Sequence, residues 1–233
     1  LAFEAISALD LDSLRSDGTS RPTFEEIALA HDISSFIQVL LVAGEPESCV
    51  TLSQWVLDAF PADDPNVAPV RIACLGRIAV CEVLDRARPA ALQHAREALA
   101  LSEYHRSTGT DVGWALAALL VTDSTVDHAA VYRRVEHIVD TIGFPSLICV
   151  ARLLRAWSHV QLGDIDAARS MLSDVQPVVA SMAQPGILHA LERRVATMVE
   201  MGADEPLLGA RERHVLAALA AGATASRPAA ATP

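Results

Sequence analysis

Residues 156–172 read AWSHVQLGDIDAARSML, and this pattern predicts the end of one helix, a tight turn and the start of another helix. Gly163 can adopt the left-handed conformation that ends a helix. Asp164 can cap the following helix by accepting a hydrogen bond from its first turn. Ala168 is small enough for two helix axes to approach each other closely. The stretch therefore predicts an antiparallel pair of helices.

Alanine pairs recur along the chain at a regular interval. They end at Ala91, Ala130 and Ala168, which are 39 and 38 residues apart. A period of roughly 34 to 47 residues is typical of helical-repeat proteins, in which no helix pair can bury its apolar face alone. The predicted pairs are 65–85 with 90–104, 111–121 with 128–142, and 145–162 with 165–182.

Further helices complete an all-α prediction. They are expected at 3–14, 24–42 and 49–60, and the total is at least nine. No alternating apolar and polar stretch is long enough to predict a strand. Three segments rich in turn residues interrupt the helices, and the last of them precedes a change in composition, where a domain boundary is expected. These segments are 13–22, 61–65 and 202–206.

The stretch at 156–172 resembles the tetratricopeptide helix-turn-helix, which has a large residue late in its first helix, Leu-Gly-Asp at the turn and Ala early in its second helix. The other copies are looser, and Arg86-Ala-Arg88-Pro89 replaces Leu-Gly-Asp in one of them. This variability is similar to the irregular helical arm of MalT-type regulators. The resemblance implies tetratricopeptide-like antiparallel helix pairs that form a right-handed solenoid over residues 1–204. The residues expected to pack the pairs are Ala91, Ala130, Leu162, Gly163 and Ala168.

Near the C-terminal end of the sequence, residues 208–222 read LGARERHVLAALAAG. This stretch resembles the opening of the LuxR-type helix-turn-helix, roughly L-T-x-R-E-x-x-V-L-x-L-L-A-x-G. The resemblance implies the first helix of such a module at 205–222, where Arg211 and Glu212 would position the helix. An alternative is one more amphipathic helix without a DNA role. The matching residues are Leu208, Arg211, Glu212, Val215, Leu216, Leu219, Ala220 and Gly222.

The residues after Gly222 depart from the LuxR-type pattern, which continues with a second helix and a recognition helix. Pro228 lies where the second helix would propagate, at a cost of about 3 kcal/mol. Arg227 is the one basic residue after Gly222, whereas phosphate contacts need several Lys or Arg side chains. We therefore expect a truncated helix-turn-helix whose DNA-reading part is incomplete, followed by a disordered tail at 223–233.

Composition and charge restrict the class of protein. Apolar residues make up 52% of the 233 residues and aromatic residues only 4%, which favours closely packed helices built from Leu, Val, Ile and Ala. The formal net charge of −11 opposes binding of nucleic acid by this segment. We see no signal peptide, and the longest apolar run, 112–121, is half as long as a membrane span. The interpretation is a cytoplasmic fragment or truncated product without a membrane partner.

The sequence contains none of the common catalytic or nucleotide-binding motifs, and we predict no enzyme, cofactor or metal site. Cys74 and Cys81 share a helix face and are interpreted as small core residues. The clusters Arg133-Arg134 and Glu192-Arg193-Arg194 are interpreted as solvated helix faces, although arginines on the concave side of a solenoid could bind an acidic ligand.

Two functional hypotheses follow from these observations. The first is a regulatory fragment of a LuxR-type, MalT-like transcriptional regulator. Its helical arm would act as a sensor and oligomerisation domain, bind a protein or small-molecule effector and be able to form a homo-oligomer. DNA would be a partner only in an intact full-length form. The alternative is a stand-alone tetratricopeptide-like scaffold for protein interactions, with no DNA role.

Overall fold

The computed structural model of the protein describes residues 22–61, 63–107, 109–142 and 144–204. In these residues we find nine α-helices and no strand, which confirms the all-α prediction for this part of the chain. The helices are α1 (Phe24–Ala43), α2 (Pro46–Ala59), α3 (Ala68–Leu84), α4 (Arg88–His105), α5 (Thr110–Thr122), α6 (His128–Ile142), α7 (Pro145–Gln161), α8 (Ile165–Ser181) and α9 (Ile187–Asp204).

Local capping explains where several helices begin. At the start of α1, the Thr23 hydroxyl accepts from the Glu26 backbone N–H, and the Glu26 carboxylate accepts from the Thr23 N–H at 2.6 Å. This reciprocal capping box satisfies backbone donors that have no partner inside the helix. Four other helices have proline in their first two positions, where the missing backbone donor has no cost. These are α2, α3, α4 and α7.

Contacts between the helices follow a simple order. The odd-numbered helices form a row in which each contacts the next, from α1 through α3, α5 and α7 to α9. The even-numbered helices α2, α4, α6 and α8 each pack against the two helices that flank them in sequence. The first and last described helices, α1 and α9, also contact each other.

The core is centred on α3, α5 and α7. Every residue from Val70 to Cys81 in α3 is buried, and Trp114 in α5 is 1% exposed. Gly76 lets α3 and α5 approach closely, because a Cβ atom at this position would lie 2.8 Å from the backbone nitrogen of Ala115. The predicted burial of the helix at 145–162 is confirmed, since α7 packs against α5, α6, α8 and α9.

Two buried arginines on α3 hold neighbouring helices in place. Arg77 donates to the Ser34 hydroxyl at 2.9 Å and to the Gln38 side-chain oxygen at 3.1 Å, both on α1. Arg71 donates to the carbonyl oxygens of Leu57 and Phe60 at the end of α2. Burial lowers the pKa of both guanidinium groups. These side chains stabilise the first three helices and were not distinguished by the sequence pattern.

The predicted equivalence of the three alanines is wrong at Ala130. Ala91 and Ala168 are fully buried, but Ala130 is exposed. The buried face of α6 contains Tyr132, Val135 and Ile138, so Ala130 lies on the opposite side of the helix. By its spacing to these residues, His128 occupies the position of the other two alanines. Its ring lies between the Ser158 hydroxyl and the carbonyl oxygen of Asp123, at 2.9 and 3.0 Å.

The turn after α7 confirms two predictions and contradicts one. Gly163 has a φ of 76°, in the left-handed region, and the Asp164 carboxylate accepts from the backbone N–H of Ala167 to cap α8. Leu162, which we expected to pack between the helices, is 58% exposed. Leu162 follows the last helical residue of α7, where the chain reverses direction, and therefore lies at the end of α7 and α8 and not between them.

The end of α9 corrects the predicted loose segment at 202–206, because the helix continues to Asp204. The predicted helix at 3–14, the LuxR-like stretch at 205–222 and the predicted tail at 223–233 lie outside the described residues. Within the described part, α1 is long and apolar enough to span a membrane by length and composition alone, a test that core helices of soluble proteins also pass.

Candidate functional site: an arginine-lined pocket

A cavity of about 440 Å³ lies where the end of α3 and the start of α4 meet α7 and α9. Its volume is within the range of small-molecule sites. Three of its lining residues are arginines, which come from two distant parts of the sequence. The lining consists of Arg86, Arg88, Trp157, Arg194, Thr197, Met198 and Met201.

Arg86 has an unusual backbone conformation. Its N–H donates to the carbonyl of Val83, and the N–H of Ala87 donates to that of Glu82. The same pair of bonds ends α7, where Gly163 has the position of Arg86. Such turns usually contain glycine because they require positive φ. Arg86 has a φ of 65°, a conformation that costs a non-glycine residue about 1 kcal/mol.

The guanidinium group of Arg194 reaches the pocket from α9. It lies 4.5 Å from the centre of the Trp157 ring on α7 and donates a hydrogen bond to the carbonyl oxygen of Leu84, at the end of α3. Stacking of a cation on an aromatic face and a bond to a helix-end carbonyl both fix its position. Arg194 therefore joins three helices and retains further N–H donors for a ligand.

The pocket concentrates positive charge on a chain whose formal net charge is −11. Among the described residues, no carboxylate forms an ion pair with Arg86, Arg88 or Arg194. Burial lowers the pKa of Arg194, and the nearby charges of Arg86 and Arg88 lower it further, while Asp85 opposes this effect. An arginine remains charged after such a shift, so the like charges repel one another in the absence of an anion.

The start of α4 adds to the positive potential. Arg88 is its first residue, and no side chain caps this helix. The N-terminal end of a helix carries the positive end of the helix dipole. Met198 and Met201 provide an apolar surface beside these charges. The arrangement can therefore bind an anion that carries an apolar group.

Two other cavities have a different character. One, of about 270 Å³, lies between α1 and α7 and is lined mainly by apolar and amide side chains. Another, of about 450 Å³ between α8 and α9, includes His189 and Glu192, which lie 3.4 Å apart. Neither cavity combines several charges of one sign with an aromatic side chain.

The four cysteines lie in the core as free thiols, which confirms the interpretation of Cys74 and Cys81 as core residues. Burial raises the pKa of Cys74 to about 11, so this thiol stays protonated at neutral pH. Among the described residues, no three histidine, cysteine or acidic side chains come together as metal ligands would.

The residues of the pocket were only partly visible in the sequence. The sequence pattern distinguishes the Arg86-Ala-Arg88-Pro89 turn and the cluster at 192–194, but it does not predict that they lie close together. In α9, Arg193 is exposed as expected, whereas Arg194 faces the pocket. Arg133 and Arg134 on α6 are exposed, as predicted. The repeat-packing residues do not line this cavity, and the predicted helix-turn-helix residues lie outside the described part.

Comparison with known proteins does not extend this description: no protein-family model, curated protein or solved structure matches the chain.

Proposed function

We propose that this chain is the effector-binding arm of a LuxR-type transcriptional regulator, and that the arginine-lined pocket is its effector site. The position of the pocket supports this proposal. Four of its lining residues, Arg194, Thr197, Met198 and Met201, belong to α9. The described part of this helix extends to Asp204, and the LuxR-like stretch begins four residues later in the sequence, at Leu208.

In this proposal the arm is a tetratricopeptide-like, right-handed solenoid. The observation in its favour is the regular contact order, with odd-numbered helices in one row and each even-numbered helix between its two neighbours in sequence. Helical-repeat proteins use such stacking to bury the apolar face of each pair. The close match between the predicted pairs and the observed helices gives further support.

Signal transmission in this proposal depends on α9. A ligand that contacts α9 together with the α3–α4 turn stabilises one orientation of the helix relative to α3 and α7. A ligand changes a conformational equilibrium only if it binds one state more tightly than the other. The residues that follow α9 would then have a different orientation with and without the effector. This difference would change how the DNA-binding modules pair on DNA.

The proposal is tested by joining the chain to a complete LuxR-type module and measuring the affinity for operator DNA. We expect Arg194→Ala, which removes a contact between α9 and the rest of the arm, to change this affinity by at least threefold. The matched control is Arg193→Ala, an exposed neighbour with the same charge, which should leave the affinity unchanged. Equal affinities for the joined protein, both variants and the isolated module would favour an interaction scaffold instead.

A further inference from the structure

We propose that the ligand of the arginine-lined pocket is a phosphate monoester with a flat apolar group, the chemical class that includes nucleoside monophosphates and aryl phosphates. This assignment rests on the proposed function of the pocket as an effector site, and it specifies the chemistry of the effector.

The positive charge of the pocket favours a ligand with two negative charges over a ligand with one. Arg86, Arg88 and Arg194 contribute three positive charges to the lining, and no acidic side chain is part of it. The cluster therefore carries more positive charge than one monoanion can neutralise. A phosphate monoester carries about −1.5 to −2 at pH 7, whereas a simple carboxylate carries −1. The phosphate neutralises the cluster more completely.

The geometry of the arginine N–H donors also fits a phosphate group. Guanidinium groups present paired N–H donors that match phosphate oxygens in bidentate contacts. The Arg194 guanidinium is already oriented by Trp157 and Leu84, so little conformational freedom remains to be lost on binding. The uncapped start of α4 at Arg88 favours negative charge in the same place.

The other lining residues select the organic part of the ligand. Met198 and Met201 supply the free apolar surface of the pocket, and Met201 is 63% exposed, whereas the Trp157 ring is 4% exposed and lies under the Arg194 guanidinium. Methionine side chains adapt to flat apolar groups, and their sulfur atoms make favourable contacts with aromatic rings. Inorganic phosphate alone would leave this surface uncovered. A phosphate ester with an aromatic or heteroaromatic group covers it.

Arg86 combines a left-handed backbone conformation with a place in the pocket lining. Arg86 occupies a turn position that Gly44 and Gly163 occupy at the ends of α1 and α7. Strained backbone persists more often at functional sites than elsewhere. Arg106, at the end of α4, has the same conformation with a φ of 54° but does not line the pocket. It therefore provides a matched control.

The assignment is tested by isothermal titration calorimetry of the 233-residue chain with phenyl phosphate, inorganic phosphate and benzoate. We expect phenyl phosphate to bind one site per chain at least tenfold more tightly than either of the others, and more weakly at higher salt. Arg86→Gly should weaken binding at least tenfold without lowering the melting temperature. Arg106→Gly should leave the affinity unchanged. Arg88→Ala should weaken binding, whereas Arg133→Ala should not.

Equal affinity for phenyl phosphate and benzoate, absence of phenyl phosphate binding, or unchanged affinity of Arg86→Gly would each overturn the assignment. The same titration, repeated on the chain joined to a complete LuxR-type module, separates this result from the proposed function. Binding of phenyl phosphate with no change in DNA affinity would overturn the regulatory function and support the ligand class. Absence of binding would overturn the ligand class and leave the Arg194→Ala comparison as the test of regulation.

Discussion

At the scale of single residues, the proposed ligand site sets binding against stability at Arg86, which has a left-handed backbone conformation. Glycine at position 86 would adopt the left-handed conformation without steric cost. Because glycine is uncharged, it would also remove the repulsion from Arg88 and Arg194. The chain has arginine there instead. A residue that lowers stability and lines a pocket is the pattern expected where function requires the side chain.

Arg86→Gly should therefore stabilise the ligand-free protein by about 1 kcal/mol, because both backbone strain and charge repulsion are removed. Denaturant unfolding measures this change as an increased midpoint. Arg106→Gly relieves the same strain in a turn outside the pocket and should give a similar or smaller increase. A lower midpoint for Arg86→Gly would show that the Arg86 side chain stabilises the fold.

Ala168→Leu should destabilise the protein by about 1–3 kcal/mol, because Ala168 is fully buried and a larger side chain overpacks the contact between helices. The matched control is Ala130→Leu on the exposed side of α6, which should change stability by less than about 0.5 kcal/mol. The comparison requires denaturant midpoints for both variants. An unchanged midpoint for Ala168→Leu would remove Ala168 from the interface.

Individual positions were the least predictable part of the molecule. Spacing placed Ala91 and Ala168 correctly because each lies at the start of a helix whose buried face continues at i+4 and i+7. At Ala130 the same spacing failed, because the inner position of α6 lies two residues earlier, at His128, which is the first residue of that helix. A repeat spacing counted in residues does not reveal that the buried position has moved within one helix.

At the scale of whole helices, close approach between α3 and α5 depends on glycine at position 76. A side chain there meets the backbone of Ala115, which cannot move without displacing α5. The existence of the helices was predictable from apolar periodicity, prolines and turn residues. The orientation of Arg194 toward the pocket was not, because it depends on the packing angle of α9 and not on local sequence.

Gly76→Ala should destabilise the protein by about 1–3 kcal/mol through overpacking, although alanine is the better helix former by about 1 kcal/mol. Gly113→Ala is the comparison, since its Cβ would lie 2.5 Å from Cδ2 of Leu147, at the end of a side chain that can change conformation. We expect a smaller loss for Gly113→Ala. Thermal unfolding distinguishes the two variants, and equal losses would contradict the proposed role of the rigid backbone contact.

At the scale of the whole molecule, the net charge of the chain opposes DNA binding. The formal net charge of −11 repels the phosphate backbone, and the arginine cluster is confined to one cavity of small-molecule size. The all-α architecture was predictable from composition and periodicity over the whole described chain. The contact between α1 and α9 was not, because no local pattern relates helices so far apart in sequence.

The 233-residue chain should therefore not bind DNA specifically. Direct readout requires a helix in the major groove with side chains that reach base edges, and Arg227 is the one basic residue after Gly222 in this sequence. The test is a titration with operator duplex at low salt, beside the chain extended by a complete LuxR-type module. Binding by both would show a DNA-binding surface elsewhere in the arm. Binding by neither would favour the scaffold, and binding by the extended form alone would support a regulatory arm.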